Sequence, residues 1–210
     1  MEKRNELKWA VLGTGGIART MGQAAAAGGR RLYGAANRTR SRAEAYAEAF
    51  GVEKVYDSCE DIFSDPQVDV VYISTPHNSH FPYIMKALES GKHVLSEKAI
   101  TLNSWELAQA EALTQRKGLV LAEAMTIWHM PLYKRLWEMA EQGELGRVHM
   151  ITASFGAPKD YDMSNRFFNR SLGGGALLDL GVYALSFARS FMSSQPDQIV
   201  SQMRPAPTGV

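Results

Sequence analysis

Trp9-Ala10-Val11-Leu12-Gly13-Thr14-Gly15-Gly16-Ile17-Ala18 is an apolar strand running into a glycine-rich turn and then a helix start of small residues. In such a strand, G-x-G-x-x-G/A turn and helix, the first glycine makes the tight bend and the second lets backbone approach a pyrophosphate. The third small residue lets helix and strand pack closely. Gly13, Gly15 and Ala18 fill those roles, and Thr14, Gly16 and Ile17 complete a turn whose amides face the phosphates of a dinucleotide. The alternative is a tight turn that holds no ligand.

Outward from that turn, short apolar runs alternate with longer stretches of helical spacing, the pattern of repeated βα units on a parallel sheet. Strands are expected at Trp9–Leu12, 31–36, 54–56, 68–74, 93–95 and 119–122, and helices at 18–27, Arg40–Phe50, 79–90 and Ser104–Lys117. Gly91 and Gly118 stand where the last two helices stop, and Asn103 is placed to cap the helix of Trp105 and Leu107. The expected class is α/β: a Rossmann doubly wound parallel sheet over residues 1–123, followed by an incomplete second α/β (α+β) domain over 124–210. In the latter, a helix is expected at 132–141, strands at 149–155 and 198–203, and a long buried helix over 173–192.

Composition sets limits. With 210 residues, 45% hydrophobic and 21% charged, the chain has the make-up of an ordinary globular protein. Its formal charge of +1 is spread without a basic block, so neither nucleic acid nor an anionic membrane is an expected partner. No apolar run in the sequence approaches the roughly 20 residues of a membrane span. The first residues, Met1 to Lys8, are polar, and Cys59 is the single cysteine, which fits a reducing, cytoplasmic setting. No metal is expected, because His77 and His80 are too few for a ligand set.

The chemistry is expected at strand ends. An NAD-selective site carries an acidic residue about 20 positions after the glycine turn. Here Asn37 and Arg38 stand there, with Arg40 and Ser41 nearby. Arginine in place of a carboxylate suits a 2′-phosphate, so NADP is expected, with NAD possible. The same arginines equally suit a solvated helix start. Ser74-Thr75-Pro76-His77-Asn78-Ser79-His80 follows a strand and is a crevice loop, with Thr75 and Pro76 against ribose or nicotinamide and Asn78 and Ser79 as helix caps.

Ser96-Glu97-Lys98 ends a later strand on the same side of a parallel sheet, where an ammonium can polarise a carbonyl oxygen. Glu97 is expected to pair with Lys98 or cap the turn. In Gly173-Gly174-Gly175-Ala176-Leu177-Leu178-Asp179-Leu180-Gly181-Val182-Tyr183, Asp179 and Tyr183 are four apart and share a helix face. A phenol, with an ordinary pKa of about 10, needs a neighbouring cation to exchange a proton near neutrality. A core tyrosine bonded to Asp179 is the plainer alternative.

These motifs in this order, together with Glu123-Ala124-Met125, resemble the glucose-fructose oxidoreductase, inositol dehydrogenase and MocA (Gfo/Idh/MocA) family over essentially the whole chain. Tyr183, where a histidine is frequent, makes the resemblance strongest to the dimeric dihydrodiol dehydrogenase and xylose dehydrogenase branch. The resemblance implies NAD(P)-dependent chemistry on sugars or related polyols, with Lys98 and Tyr183 as the catalytic pair and Asp179 orienting groups. It also implies Asn165 and Arg166 in a sugar pocket, and a homo-oligomer, dimer or tetramer, built through the second-domain sheet. Ala99 departs from the proline usual after Glu-Lys, which is expected to loosen the lysine segment. Family members also run well over a hundred residues longer, so the chain reads as an N-terminal portion. A non-catalytic NADP-binding sensor on the same scaffold is the competing function, and a metal-dependent hydrolase is poorly supported.

Overall fold

The computed structural model of the protein forms two compact units, Met1–Ala124 and Met125–Val210. Residues 6–210 are described, so the polar leading residues 1–5 lie outside the described part.

The first unit is built on six parallel strands: β1 (Trp9–Leu12), β2 (Gly34–Ala36), β3 (Lys54–Val55), β4 (Val70–Ile73), β5 (His93–Ser96) and β6 (Leu121–Glu123). Their order, β3-β2-β1-β4-β5-β6, is that of a doubly wound sheet whose direction of winding reverses between β1 and β4. Ala10, Val11 and Leu12 are all fully buried because helices cover both faces, which is why β1 reads as an unbroken apolar run.

Alternation sorts the strand side chains into two cores. Ala10 and Leu12 join Val71, Ile73, Ile84 and Leu88 on one side, while Val11 joins Ala18, Leu32, Tyr46 and Tyr72 on the other. Helices α1 (Gly16–Ala27) and α2 (Arg40–Phe50) cover the second core. Helices α4 (His80–Glu89) and α5 (Ser104–Lys117) cover the first, with α3 (Asp61–Ser64) contributing Ile62 and Phe63. Truncating a fully enclosed side chain such as Leu88 to alanine costs about 2–5 kcal/mol.

Helix ends follow local chemistry. Asn103 caps α5 by accepting the Glu106 amide at 2.9 Å, and Glu106 reaches back to the Leu102 amide at 3.0 Å. Gly51 and Gly118, both left-handed, stop α2 and α5. Several boundaries differ from the sequence expectation. Helix α1 starts two residues early, at Gly16, and β2 starts late, although the Tyr33 amide already donates to Trp9 O at 2.8 Å. Helix α3 spans a single turn, too short to leave a periodic signal.

The second unit departs further. It contains α6 (Pro131–Glu141), opened by a proline at its first turn, and α7 (Val182–Ser190), preceded by a π-helical turn over Leu177–Gly181. The segments 149–155 and 198–203, expected as strands, make no ladder among the described residues. A strand is defined by a partner's backbone groups, and these stretches have none in the described structure. The expected long buried helix is also corrected. It breaks into short turns before α7, α7 buries no residue, and Leu185 is exposed. By length and composition alone the stretch Arg170–Ser190, with mean hydropathy 1.3 in its most apolar window, is apolar enough to cross a membrane, although it is not one continuous α-helix. That same stretch carries the buried Asp179.

Candidate active site

Parallel register aligns Ala36, Leu12, Ile73, Ser96 and Glu123 in one row across five strands. The residues that follow each of them therefore emerge at one carboxyl edge: Asn37, Gly13, Ser74 and Glu97, and after them Arg38, Thr14, Thr75 and Lys98. With strands about 4.8 Å apart, the glycine turn and the β5 end are separated by about 10 Å, within the length of a dinucleotide.

Gly13 adopts φ +94°, and its amide donates to Ala36 O at 2.9 Å. A Cβ there would lie 2.9 Å from Ser74 O. Ser74 closes on the turn from β4, its amide donating to Leu12 O at 2.9 Å and its hydroxyl to Gly13 O at 2.8 Å. Helix α1 then opens with no side-chain cap on Gly15 and no acidic residue in its first turn. A Cβ on Gly15 or Gly16 would meet nothing within 4 Å, while Ala18 is fully buried. Uncapped amides, an open approach and no competing carboxylate are what a pyrophosphate requires, so these residues fit a dinucleotide.

At the β2 end, Asn37 Nδ2 donates to Thr14 Oγ1 at 2.8 Å and Asn37 Oδ1 accepts the Thr39 amide at 2.9 Å. Arg38 is exposed, and Arg40 is engaged by Glu44 and Asp57. Of the two arginines, Arg38 is the one that the described ion pairs leave uncommitted.

The loop after β4 makes a 3-10 turn, His77–Ser79, before α4. Ser79 does not cap α4 as expected. Its hydroxyl meets Pro76 O at 2.7 Å and Thr75 Oγ1 at 2.8 Å, while Asn78 is exposed. His80 is fully buried, with Nδ1 2.8 Å from Ala99 O and Nε2 2.8 Å from Thr75 O. His77, also buried, sets Nε2 3.1 Å from Lys98 O. Both rings thus engage main chain of the loops that carry the candidate site.

Lys98 is half-buried just beyond β5, and the Lys98–Ala99 peptide is cis. Glu97 takes the Tyr72 hydroxyl at 2.6 Å. Burial, reinforced by the Glu97 carboxylate, pushes the Tyr72 phenol well above its ordinary value, so it stays a donor. Glu123 Oε1 accepts the Ile100 amide at 2.9 Å. Burial raises the Glu123 carboxyl, while the Ile100 amide and Lys98 oppose that shift.

In the second unit Asp179 is buried, with Lys159 Nζ 3.4 Å from its Oδ2. Lys159 also lies 3.3 Å from the Phe167 ring centre, over which Arg166 stands at 4.2 Å. Tyr183 meets Phe155 edge-on at 5.4 Å, and Asn165 is an exposed turn residue accepting the Phe167 amide. Lys159, Glu123 and Tyr72 carry no role in the sequence reading. Only Glu123 left a signal, by ending an apolar strand as Lys98 does. Trp128 stacks on Trp137 at 5.0 Å.

The chain matches the family described as oxidoreductase, NAD-binding Rossmann fold, over residues 7–125, and the GFO/IDH/MocA C-terminal domain over residues 133–210. It is 33% identical over 210 residues to trans-1,2-dihydrobenzene-1,2-diol dehydrogenase of Mus musculus, covering 97% of this chain and 62% of that protein. It is 34% identical over 215 residues to D-xylose 1-dehydrogenase (NADP(+)) of Hypocrea jecorina, covering 91% and 55%. The crystal structure of KijD10, a 3-ketoreductase from Actinomadura kijaniata in complex with NADP and TDP-benzene, superposes with a TM-score of 0.82 at 31% identity, over 89% of this chain and 57% of that one. The chain thus spans about three-fifths of the length of these curated relatives. A glycine turn open to a pyrophosphate, a lysine at the same sheet edge and the two matched domains together make this chain a member of the Gfo/Idh/MocA family of oxidoreductases.

Proposed function

We propose that the protein is an NADP-dependent oxidoreductase that moves hydride between nicotinamide and a carbonyl or secondary alcohol of a sugar, polyol or dihydrodiol-like substrate. The observation that carries this reading is the common edge: Lys98 leaves β5 on the same side of the sheet as the uncapped start of α1. When bound, the nicotinamide supplies or accepts the hydride.

The chain's own groups do the rest. The α1 amides bind phosphate, and the bend at Gly13 lets backbone approach it. Arg38 is assigned to the 2′-phosphate, supported by its exposure and by the absence of a carboxylate at Asn37. Thr75 and Pro76 orient the nicotinamide end. Lys98 stabilises negative charge on the substrate oxygen, and Tyr183 gives or takes the proton at its phenolic oxygen. Asp179, charge-balanced by Lys159, orients substrate hydroxyls together with Asn165 and Arg166. The names of the relatives, a dihydrodiol dehydrogenase and an NADP-dependent xylose dehydrogenase, support the substrate class. Exposed Met150, Ile199, Val200 and Met203 in the second unit support a homo-oligomer, which light scattering at two concentrations checks.

The test is Lys98→Met assayed for NADPH formation on pentoses, hexoses, inositols and dihydrodiols. Turnover is expected to fall about 100-fold or more while NADPH affinity stays within about twofold. Unchanged turnover removes Lys98 from the chemistry.

A further inference from the structure

Three consecutive backbone groups beginning at Lys98 are each held by a side chain from a different place in the fold. His77, in the turn after β4, sets Nε2 3.1 Å from Lys98 O. His80, at the start of α4, sets Nδ1 2.8 Å from Ala99 O. Glu123, at the end of β6, accepts the Ile100 amide at 2.9 Å. The anchors are themselves fixed. His80 is fully buried, with its other nitrogen 2.8 Å from Thr75 O, and His77 stands edge-on to it at 5.6 Å between ring centres. Glu123 belongs to the β6 ladder, paired with Ser96 of β5.

We infer that His77, His80 and Glu123 are positioning residues that together fix the Lys98 segment, the buried His80 ring being seated between Ala99 O and Thr75 O. Alanine at position 99 leaves the backbone free to rotate, and bonds at 98, 99 and 100 remove that freedom from outside. A side chain whose productive placement is lost by about 1 Å can forfeit two orders of magnitude in rate, so holding the backbone beneath Lys98 has a catalytic consequence. The loop after β4 and the segment after β5 are thereby linked to one another.

The inference rests on Lys98 having the role proposed above, and its test separates the two. Truncating His80 would open a cavity in the core and endanger folding. The experiment therefore uses Glu123→Ala and Glu123→Gln in the full chain with NADPH bound, and His77→Gln as a third variant. Amide exchange at Ile100, followed by NMR, and the rate at which acetic anhydride labels the Lys98 amine are both read without substrate.

Glu123→Ala is expected to speed Ile100 exchange about tenfold, the loss of one buried hydrogen bond, and to change Lys98 labelling. Glu123→Gln is expected to restore both, since its amide oxygen still accepts that hydrogen. Where turnover is measurable, kcat falls in the alanine variant while KM for NADPH holds, and the glutamine variant recovers it. Wild-type exchange and labelling in Glu123→Ala would overturn the clamp, as would failure of Glu123→Gln to restore Ile100 protection. Restored protection without turnover on any substrate supports the clamp and counts against the proposed function instead.

Discussion

Asn37 donates to Thr14 Oγ1 at 2.8 Å, so the end of β2 is stitched to the glycine turn at the position where an NAD-selective site keeps a carboxylate. The amide both braces the turn and leaves the ribose edge without negative charge. Asn37→Asp is expected to keep the brace, with the Thr14 hydroxyl now donating, while placing a charge that repels a 2′-phosphate. The NADPH-to-NADH affinity ratio should fall about tenfold or more. Parallel titrations with the two nucleotides read it directly.

The glycines of the turn separate stability from binding. Gly13→Ala forces a side chain at φ +94° and a Cβ 2.9 Å from the Ser74 carbonyl, backbone that cannot yield cheaply. A loss of about 2 kcal/mol or more is expected. At Gly15 an added Cβ meets no protein atom within 4 Å, so thermal stability should hold while NADPH affinity falls, because the new methyl occupies the approach of the pyrophosphate. Melting curves with and without NADPH distinguish the two variants.

Away from the site, Asp65 anchors the β3 edge. It takes Lys54 Nζ at 2.7 Å, Tyr56 Oη at 2.9 Å and the Gln67 amide at 2.8 Å. Burial by itself would raise its carboxyl, but the hydrogen bonds from Lys54, Gln67 and Tyr56 outweigh it and lower the pKa from 3.8 to about 2. The folded value lies below the unfolded one, so the stabilisation is full above about pH 4 and drains away as pH falls toward 2. Because Lys54 is half exposed, the contribution is about 1 kcal/mol after screening. Asp65→Asn should lose that stability at pH 7 and flatten the acid limb between pH 4 and 2, as chemical denaturation across that range will show.

What could be read in advance follows the physics of each element. Strands β1 and β4 are legible because burial on both faces leaves unbroken apolar runs, and α5 because Asn103 and Gly118 mark its ends. The glycine turn and Lys98 were legible because strand ends in a parallel sheet share an edge. The stretches 149–155 and 198–203 form no strand because alternation alone does not supply a partner backbone. Ser79 does not cap α4 because its hydroxyl has closer acceptors behind it, in Pro76 and Thr75. Lys159 and Tyr72 left no trace, since Asp179 and Glu97 acquire them only through folding.

The carboxyl edge between β1 and β4 is proposed to hold NADP(H). The direct measurement is a titration of the purified chain with NADPH and NADH, following nicotinamide fluorescence together with particle size. Saturable binding with NADPH tighter by about tenfold or more is the predicted result. A folded, monodisperse chain that binds neither nucleotide, or prefers NADH, would contradict it.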